Sequence, residues 1–340
     1  MKTGNARHRL TAMLRMRQLE LISTLADAGN MRAAAQRLNI STAAVSKGLL
    51  ELEALFDVEI FRRLPRGVVP TSAGALIVQR ARVLLNDVMQ LSDDVAARRA
   101  GGGESIAIGA PPFIAWTLLP RVLREMAVHG RAPSVHIVEG RLAEIGRQLE
   151  SGEIDVLITM NSPSELGGLK LDGFVLEQIG NEQWTVVCAP SHALARPGRP
   201  AVQSWKALAH ADWILPPRPT NARLMVEQVM LKHGLAPIVP HIESTNAITN
   251  LQLAEQGLGI TLVAMCVVED RLRRGLLVEV PMQDLPPAVP IVLVYRPAGA
   301  RREAVATLLA AAQRIRKADA SVSARPRART RKLAPRKFRS

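Results

Sequence analysis

Polar side chains that hydrogen-bond or carry charge cluster in one short stretch of the sequence, residues 41–47. They are Ser41, Thr42, Ser46 and Lys47. Serine and threonine hydroxyls donate or accept hydrogen bonds, and a lysine ammonium reaches guanine or phosphate oxygens. This chemistry suits contact with nucleic acid. The alternative interpretation is that the hydroxyls only cap a helix, a role in which Ser and Thr are common.

Three arginines follow about fifteen residues later, in the stretch EIFRRLPRGVVPT. Arg62, Arg63 and Arg66 surround a turn that contains Pro65 and is closed by Gly67. The pattern predicts a short hairpin, or wing, that carries three cations. Such cations would hold a phosphate backbone, which fixes the register on DNA without reading its sequence.

Two short helices position the first cluster. Apolar spacing predicts a helix over 17–28 that ends at Gly29, and a second helix over 31–38 capped by Asn30. A tight turn at residues 39–40 leads to a third helix. Its apolar face is Val45, Leu49, Leu52 and Phe56. This arrangement is typical of a helix-turn-helix, whose second helix presents its N-terminal side chains to the major groove. By itself the pattern also fits an ordinary helical hairpin.

A long helix is predicted over about 72–99, with Thr71 as its cap. Apolar residues recur there at gaps of four and three. They include Ile77, Leu84, Val88, Leu91 and Val95. This is a coiled-coil seam, which needs a partner helix, so we expect a homodimer. The glycine-rich residues 100–103 predict a flexible joint.

The rest of the chain alternates strands and helices. Strands at 105–110, 134–140 and 154–160, with helices between them, predict right-handed crossovers and a parallel sheet. A second such set extends to about residue 264. We therefore expect two linked α/β lobes with a crevice between them.

Ligands of open α/β sheets bind beyond the carboxyl ends of the strands. The predicted effector-binding residues at those ends are Ala110, Pro111, Pro112, Phe113, Arg141, Arg218, Thr220, Asn221, Thr245 and Asn246. Taken singly, each arginine also fits a solvated surface charge, and each hydroxyl also fits a helix cap.

The excess positive charge lies at the two ends of the chain. Residues 1–70 carry 11 Lys and Arg against 6 Asp and Glu, and residues 317–340 carry 9 against 1, while residues 100–316 are balanced. Clustered cations attract polyanions, above all nucleic acid. The composition of residues 317–340 predicts a basic disordered tail, and a purely solubilising role fits it equally well.

Other classes of protein are not favoured. The sequence has no G-x-S-x-G elbow, Walker loop or H-E-x-x-H motif, and its seven histidines show no metal-ligand spacing. Two distant thiols, Cys188 and Cys266, predict neither a disulfide framework nor a zinc site, and we expect both to be buried and inert. We expect no enzyme activity, cofactor, metal or membrane span. The N-terminus does not resemble a signal peptide, so we expect a cytoplasmic protein.

These residues together resemble the LysR-type transcriptional regulators, over roughly residues 14–316. The matches to the family's motifs are Gly29, Ala34-Ala35, Leu38, Ser41, Ala44-Val45-Ser46, Leu52-Glu53, Leu55, Phe61, Arg63, Arg66-Gly67, Thr71 and Ala73-Gly74. Thr42-Ala43 replaces the family's frequent Gln-Pro, and Gly48 replaces a common Gln. The family often has Ser or Thr after the first strand of its effector domain, where it binds a carboxylate. This chain has APPF at 110–113, so Arg141 or Arg218 would have to supply that role.

The resemblance implies the fold class: an N-terminal winged helix-turn-helix, a long linker helix, then a two-lobed effector domain like a periplasmic binding protein. The predicted boundaries are 1–70, 71–100, 101–316 and the tail 317–340. It also implies the partners, namely double-stranded promoter DNA, a small organic acid or sugar as effector, RNA polymerase as a further candidate, and a homodimer paired into a homotetramer. The competing functions are a solute-binding α/β protein and an enzyme with a nucleic-acid-binding arm.

Overall fold

The computed structural model describes residues 10, 12–99, 103–128, 133–162, 166, 168–169, 171–196 and 202–323. The predicted joint at 100–103 therefore lies outside the described residues except for Gly103, and so does the greater part of the predicted tail.

The N-terminal head is a winged helix-turn-helix. Its elements are α1 (Met16–Ala28), α2 (Met31–Arg37), α3 (Thr42–Phe56), β1 (Phe61–Leu64) and β2 (Gly67–Pro70). The predicted caps are confirmed, because Asn30 accepts the amide hydrogen bond of Ala33 at 2.8 Å and Gly29 ends α1 at a φ of +67°. Small Ala34 and Ala35 lie at 0% and 4% exposure, which lets the three helices pack closely.

The linker helix α4 (Ser72–Arg99) has 28 residues, so it is about 42 Å long. Val78 and Ala81 are buried in the core of the head, and Ile77 packs against the same core. Ile77 was predicted to belong to the dimer seam, but the structure gives it a contact within the protomer. The other predicted seam residues are exposed apolar side chains: Leu84, Val88, Leu91 and Val95.

The first lobe contains one five-stranded sheet in the order β4-β3-β5-β12-β6. Its strands are β3 (Ser105–Ala110), β4 (Ser134–Glu139), β5 (Val156–Met160), β6 (Val175–Glu182) and β12 (Val289–Tyr295). The pairs β3–β4 and β3–β5 are parallel, as predicted. The strands β6 and β12 were not predicted, and they make the rest of the sheet antiparallel.

The helices of this lobe are α5 (Pro112–Thr117), α6 (Leu119–Val128), α7 (Leu142–Ser151) and α12 (Glu303–Ser323). The last of these corrects the predicted tail, because residues 317–323 continue α12 instead of being disordered. An ion pair at 2.7 Å between Arg121 of α6 and Asp319 of α12 favours this continuation.

The second lobe contains the three-stranded order β10-β7-β11 and the pair β8–β9. Its strands are β7 (Trp184–Cys188), β8 (Ile214–Leu215), β9 (Ile242–Glu243), β10 (Thr261–Ala264) and β11 (Val278–Val280). Its helices are α8 (Trp205–Leu208), α9 (Asn221–Lys232), α10 (Ala247–Glu255) and α11 (Met265–Arg273). The three-stranded order is antiparallel, against the prediction, whereas β8–β9 and the single bridges Gln203–Met282 and Trp213–Ile260 are parallel.

The chain crosses between the lobes twice. The first crossing leads from Glu182 at the end of β6 to Trp184 at the start of β7, and the second leads from β11 to β12. The residues that connect these strands, together with Glu182, are called the hinge below. In the part of the chain that the structure describes, no helix is both long and apolar enough to span a membrane.

Candidate DNA-binding surface and effector crevice

The polar start of α3 is presented to solvent. Thr42 and Lys47 are exposed, whereas Ser46 is half-buried. Ser41 is the N-cap residue, and its Oγ accepts the amide hydrogen bond of Ala44 at 3.1 Å. The alternative role of Ser41 as a cap is thus real, and it leaves the hydroxyl hydrogen free to be donated outward.

The wing lies beside this helix. Arg63 on β1 donates from Nη2 to Ser46 Oγ at 3.3 Å. Arg62 and Arg66 are exposed. The structure therefore places the three wing arginines and the polar start of α3 in the same N-terminal head, with one direct bond between the two sets.

Partly buried hydrogen bonds from Glu53 fix the wing to α3, and a backbone hydrogen bond fixes it to the end of α1. Glu53 Oε1 accepts the amides of Ile60 and Phe61, at 2.8 and 3.3 Å. Gly67 adopts a φ of +130°, and the next amide, that of Val68, donates to the Gly29 carbonyl at 2.8 Å. A side chain at Gly67 would collide with that carbonyl, since its Cβ would lie 2.3 Å from the oxygen. These contacts explain why glutamate and glycine occupy the two positions.

Sequence reasoning missed two residues at this surface, Arg32 and Gln36. Both are exposed on α2, on the side away from the buried alanines. They line an open depression together with Ala35, Asn39, Ile40, Ser41 and Thr42. Their i, i+4 spacing on the polar face of α2 is the signal that would have found them.

The crevice between the two lobes is closed by contacts between them. Phe113 of α5 packs against the hydrophobic cores of both lobes. Ser162, just beyond β5, and Asn221, the first residue of α9, are both buried and are joined at 2.8 Å between Oγ and Oδ1. Two predicted residues, Phe113 and Asn221, therefore lie where the lobes meet.

A buried carboxylate stands at the hinge. Glu182 is 5% exposed, and its Oε1 accepts the amide of Cys266 at the start of α11 at 3.1 Å. Burial raises the pKa of Glu182 above its usual range, while hydrogen bonds from Cys266 oppose that change. Glu182 belongs to β6 of the first lobe and Cys266 to α11 of the second, so this hydrogen bond joins the two lobes at the hinge. No motif in the sequence signals Glu182.

A second contact joins α5 to α11. The guanidinium carbon of Arg271 lies 5.9 Å from the ring centroid of Trp116, a side chain that is 46% exposed. Arg271 also donates from Nε to Glu255 at 2.5 Å. Because Trp116 belongs to the first lobe and Arg271 to the second, relative movement of the lobes would change this cation–π contact.

The other predicted effector residues are placed less favourably for a ligand. Arg218 is 60% exposed and donates from Nε to Glu227 at 2.7 Å, so its charge is already paired. Arg141 is exposed at the start of α7. Thr220 Oγ1 donates to the Pro217 carbonyl at 2.9 Å.

Caps and packing account for the rest of that set. Asn246 accepts the amide of Ile248 at 2.8 Å as the cap of α10, next to the exposed Thr245. Ala110 and Pro111 are buried at the end of β3, while Pro112 is exposed.

The surroundings of both cysteines disfavour the thiolate. Both are free, Cys188 buried and Cys266 half-buried. Burial raises the pKa of Cys188 to about 11, and burial followed by the charge of Glu182 raises the pKa of Cys266 even further. A high pKa leaves little thiolate, which is the nucleophilic form. Within the described residues, no group of three or more His, Cys, Asp or Glu side chains could hold a metal ion.

Comparison with protein families gives two matches. Residues 16–75 match the family described as bacterial regulatory helix-turn-helix protein, lysR family. Residues 99–316 match the LysR substrate binding domain. The two matches cover the head and both lobes.

Similar curated proteins are named as regulators. The chain is 27% identical over 260 residues to the HTH-type transcriptional regulator GbpR of Azospirillum brasilense, covering 76% of this chain and 74% of that protein. It is 23% identical over 283 residues to the HTH-type transcriptional regulator PcaQ of Agrobacterium fabrum, covering 83% of this chain and 89% of that protein.

Solved structures share the fold. Full-length LysG from Corynebacterium glutamicum with bound effector Arg is similar at a TM-score of 0.59 and 19% identity, over 90% of this chain and 99% of that one. Full-length CbnR complexed with its target DNA is similar at a TM-score of 0.55 and 22% identity, over 89% of this chain and 100% of that one.

Proposed function

The chain belongs to the LysR family of transcriptional regulators, and from that premise we propose that α3 and the wing read a specific operator under the control of a small effector held between the lobes. The DNA-binding residues in this proposal are those predicted, namely Ser41, Thr42, Ser46, Lys47, Arg62, Arg63 and Arg66. Arg32 and Gln36 join them.

One observation supports the DNA-binding part most directly. The exposed start of α3 and the exposed wing arginines belong to one rigid unit, because Arg63 bonds Ser46 and Glu53 holds both amides at the start of β1. A recognition helix contacts base edges, whereas wing cations contact phosphates. Rigid coupling of the two would let the phosphate contacts set the register in which α3 meets the bases.

Footprinting on the DNA that flanks the protein's own gene tests this part. We expect protection of a defined site at concentrations that leave random DNA of the same length unprotected. A footprint without any boundary, or equal affinity for both DNAs, would contradict sequence-specific binding.

The effector part rests on the crevice. Its shared surface combines the aromatic ring of Phe113 with buried polar groups on both sides, Ser162 and Asn221. A ligand that replaces the Ser162–Asn221 contact would favour one closure state over another. The candidates are a small organic acid or a sugar. An acid would need Arg218 to exchange its partner Glu227 for the ligand, or Arg141 to turn towards it.

Thermal shift with a panel of small acids and sugars tests the effector part. We expect a hit to raise the unfolding temperature of the wild-type protein in a concentration-dependent way. The same hit should lose most of its effect on Asn221→Ala and keep it on Thr249→Ala, an exposed control in α10. A hit that stabilises all three proteins equally would bind elsewhere.

The assembly completes the proposal. Exposed apolar residues Leu84, Val88, Leu91 and Val95 on α4 support a homodimer, with further pairing into a homotetramer. The regulator would act on promoter DNA in the cytoplasm, with RNA polymerase as a further partner. The proposal assigns no enzymatic role, and the relatives named above are regulators.

A further inference from the structure

Arg302, which precedes α12 near the end of the chain, reaches back to the linker helix. Its Nη1 donates to Asp155 at 2.6 Å and to Gln90 at 3.2 Å. Its Nη2 donates to the Ser105 carbonyl at 2.7 Å and to Asp94 at 3.3 Å. One guanidinium therefore hydrogen-bonds to the linker helix, to the first residue of β3 and to the residue that precedes β5.

The linker helix meets these partners with one face. Asn86, Gln90 and Asp94 are four residues apart, so they lie on one side of α4. Asn86 donates to the Ser151 carbonyl at 2.8 Å, and Gln90 donates to Asp155 at 2.9 Å. Asp94 accepts both the amide and the hydroxyl of Ser105, at 2.9 and 3.1 Å.

The charged side chains of this cluster are mostly buried. The Asp155 side chain is 2% exposed, and those of Asp94 and Arg302 are 18% and 21% exposed. Asp155 has a further partner, since its second oxygen accepts the amide of Ala107 at 2.9 Å. Charge pairs that are removed from water and have their remaining hydrogen-bonding groups satisfied are costly to break from one side. A lysine cannot replace the arginine fully, because the planar fork serves several acceptors at once.

The N-terminal half of α4 is attached to the head by apolar packing and by an ion pair. Val78 and Ala81 lie in the head's core, and Arg82 forms an ion pair with Asp27 of α1. The helix thus uses one face for the head and another for the first lobe. Leu84, Val88 and Leu91 lie on a third face, which both attachments leave exposed.

We infer that Arg302 is a positioning residue that fixes the linker helix to the first lobe, so that the head, the linker helix and the first lobe form one unit. In this arrangement the orientation of the head is set by the first lobe. If an effector moves the lobes, as proposed above, the second lobe moves against this unit. Its movement would reach the heads through contacts between copies of the chain.

Hydrogen exchange measures the attachment without any DNA or effector. In Arg302→Gln we expect the amides of residues 86–99 and 105–107 to exchange about tenfold faster or more, because a hydrogen bond to a charged group is worth at least about that factor in an equilibrium constant. Arg302→Lys should give an intermediate rate. Arg301→Gln is the matched control, since Arg301 is the exposed neighbour with the same charge. Wild-type exchange in Arg302→Gln would overturn the inference.

Selection from a random DNA library measures the positioning role. We expect the wild-type protein and Arg301→Gln to enrich two half-sites at one spacing. Arg302→Gln should enrich the same half-site sequence with a broader range of spacings. If Arg302→Gln shows faster hydrogen exchange but still enriches a single spacing, Arg302 attaches the linker helix to the first lobe without positioning the heads. That result would overturn the positioning role.

One further result separates this inference from the proposed function. Failure of the wild-type protein to enrich any motif would count against the proposed function, and hydrogen exchange would still decide whether Arg302 attaches the linker helix to the first lobe.

If Arg302→Gln does not fold, Asp94→Asn carries the same test, because it removes the negative charge on α4 that faces Arg302. Exchange and spacing like those of the wild type in Asp94→Asn would contradict the inference.

Discussion

Arg63 of the wing donates a hydrogen bond from Nη2 to the hydroxyl of Ser46 in α3, at 3.3 Å. The bond crosses from the element that should hold phosphates to the element that should read bases. Ser46 therefore has a role before DNA arrives, because it orients the wing arginine. On DNA the same hydroxyl can still donate its hydrogen to a base edge.

The double variant Ser46→Ala, Lys47→Ala should lower specific binding and leave the fold intact. Lys47 is exposed and Ser46 is half-buried at the edge of the core, so neither supports the core. Each good base contact is worth about 1–3 kcal/mol. A gel shift with the operator found by footprinting measures the loss, and Lys206→Ala, an exposed cation of the second lobe, is the control for charge. Unchanged affinity would show that α3 is not the recognition helix.

Leu84→Asp or Val88→Asp should break the proposed dimer. Both side chains are 44% exposed in the protomer and lie on the seam face of α4. A partner helix would bury the new carboxylate without a counter-charge, which is very costly. Sedimentation measures the mass. Leu258→Asp is the control, because Leu258 is 47% exposed in a loop of the second lobe. A Leu84→Asp protein with wild-type mass would remove this face from the interface.

The head and the linker helix could be predicted from the sequence because their signals are local. Caps such as Asn30 and the left-handed Gly29 lie within a few residues of the helices that they delimit. The motif Thr71-Ser72-Ala73-Gly74 likewise begins the linker helix through hydrogen bonds to residues that are near in the sequence. The Thr71 hydroxyl donates to the Glu59 carbonyl at 2.7 Å and accepts the Gly74 amide at 2.9 Å.

The topology of the lobes and the hydrogen bonds at the hinge could not be predicted because they depend on residues that are distant in the sequence. Strand β12 pairs with β5 and β6, which lie more than one hundred residues earlier in the chain. The residues of β12 do not indicate whether it runs parallel or antiparallel to them. Glu182 is the last residue of β6 and belongs to no motif, because its partner at the start of α11 lies 84 residues further along the chain. For Arg218 the sequence did not indicate that Glu227, nine residues later, would pair with the predicted anion-binding guanidinium.

Glu182→Gln should change how stability depends on pH. The folded protein holds the proton of Glu182 to higher pH than the unfolded chain does, because burial raises its pKa. Wild-type stability from this group is therefore full below the usual glutamate pKa and falls as pH rises through the raised value. Glutamine cannot ionise and still accepts the Cys266 amide. Urea unfolding measures the free energy of unfolding at pH 4 and pH 7. From pH 4 to pH 7 this free energy should rise in the variant relative to the wild type. An equal difference at both pH values would contradict this role of burial.

Gly74→Ala should destabilise the head, whereas Gly48→Ala should be nearly neutral. A Cβ at Gly74 would lie 1.9 Å from the Ile60 carbonyl oxygen, which is backbone and cannot yield. A Cβ at Gly48 would meet only the end of the Leu21 side chain, at 2.7 Å. Both changes gain up to about 1 kcal/mol of helix propensity, but overpacking at Gly74 should cost about 1–3 kcal/mol or more. Urea midpoints measure the difference, and equal midpoints would contradict the close approach.

The last prediction concerns the basic C-terminal residues. An informative truncation ends after Ser323 and not at the predicted start of the tail, residue 317, because α12 continues to Ser323. Residues 324–340 carry 8 of the 44 Lys and Arg of the chain and no Asp or Glu. Each phosphate contact adds about 0.9 to the slope of log affinity against log salt, so engagement of a third of these cations makes removal lower the slope by roughly 2 to 3. Binding to operator and to random DNA should weaken by similar factors, as measured by titration at several salt concentrations. An unchanged slope would mean that these residues do not contact DNA, and a large loss of operator preference would mean that they read sequence.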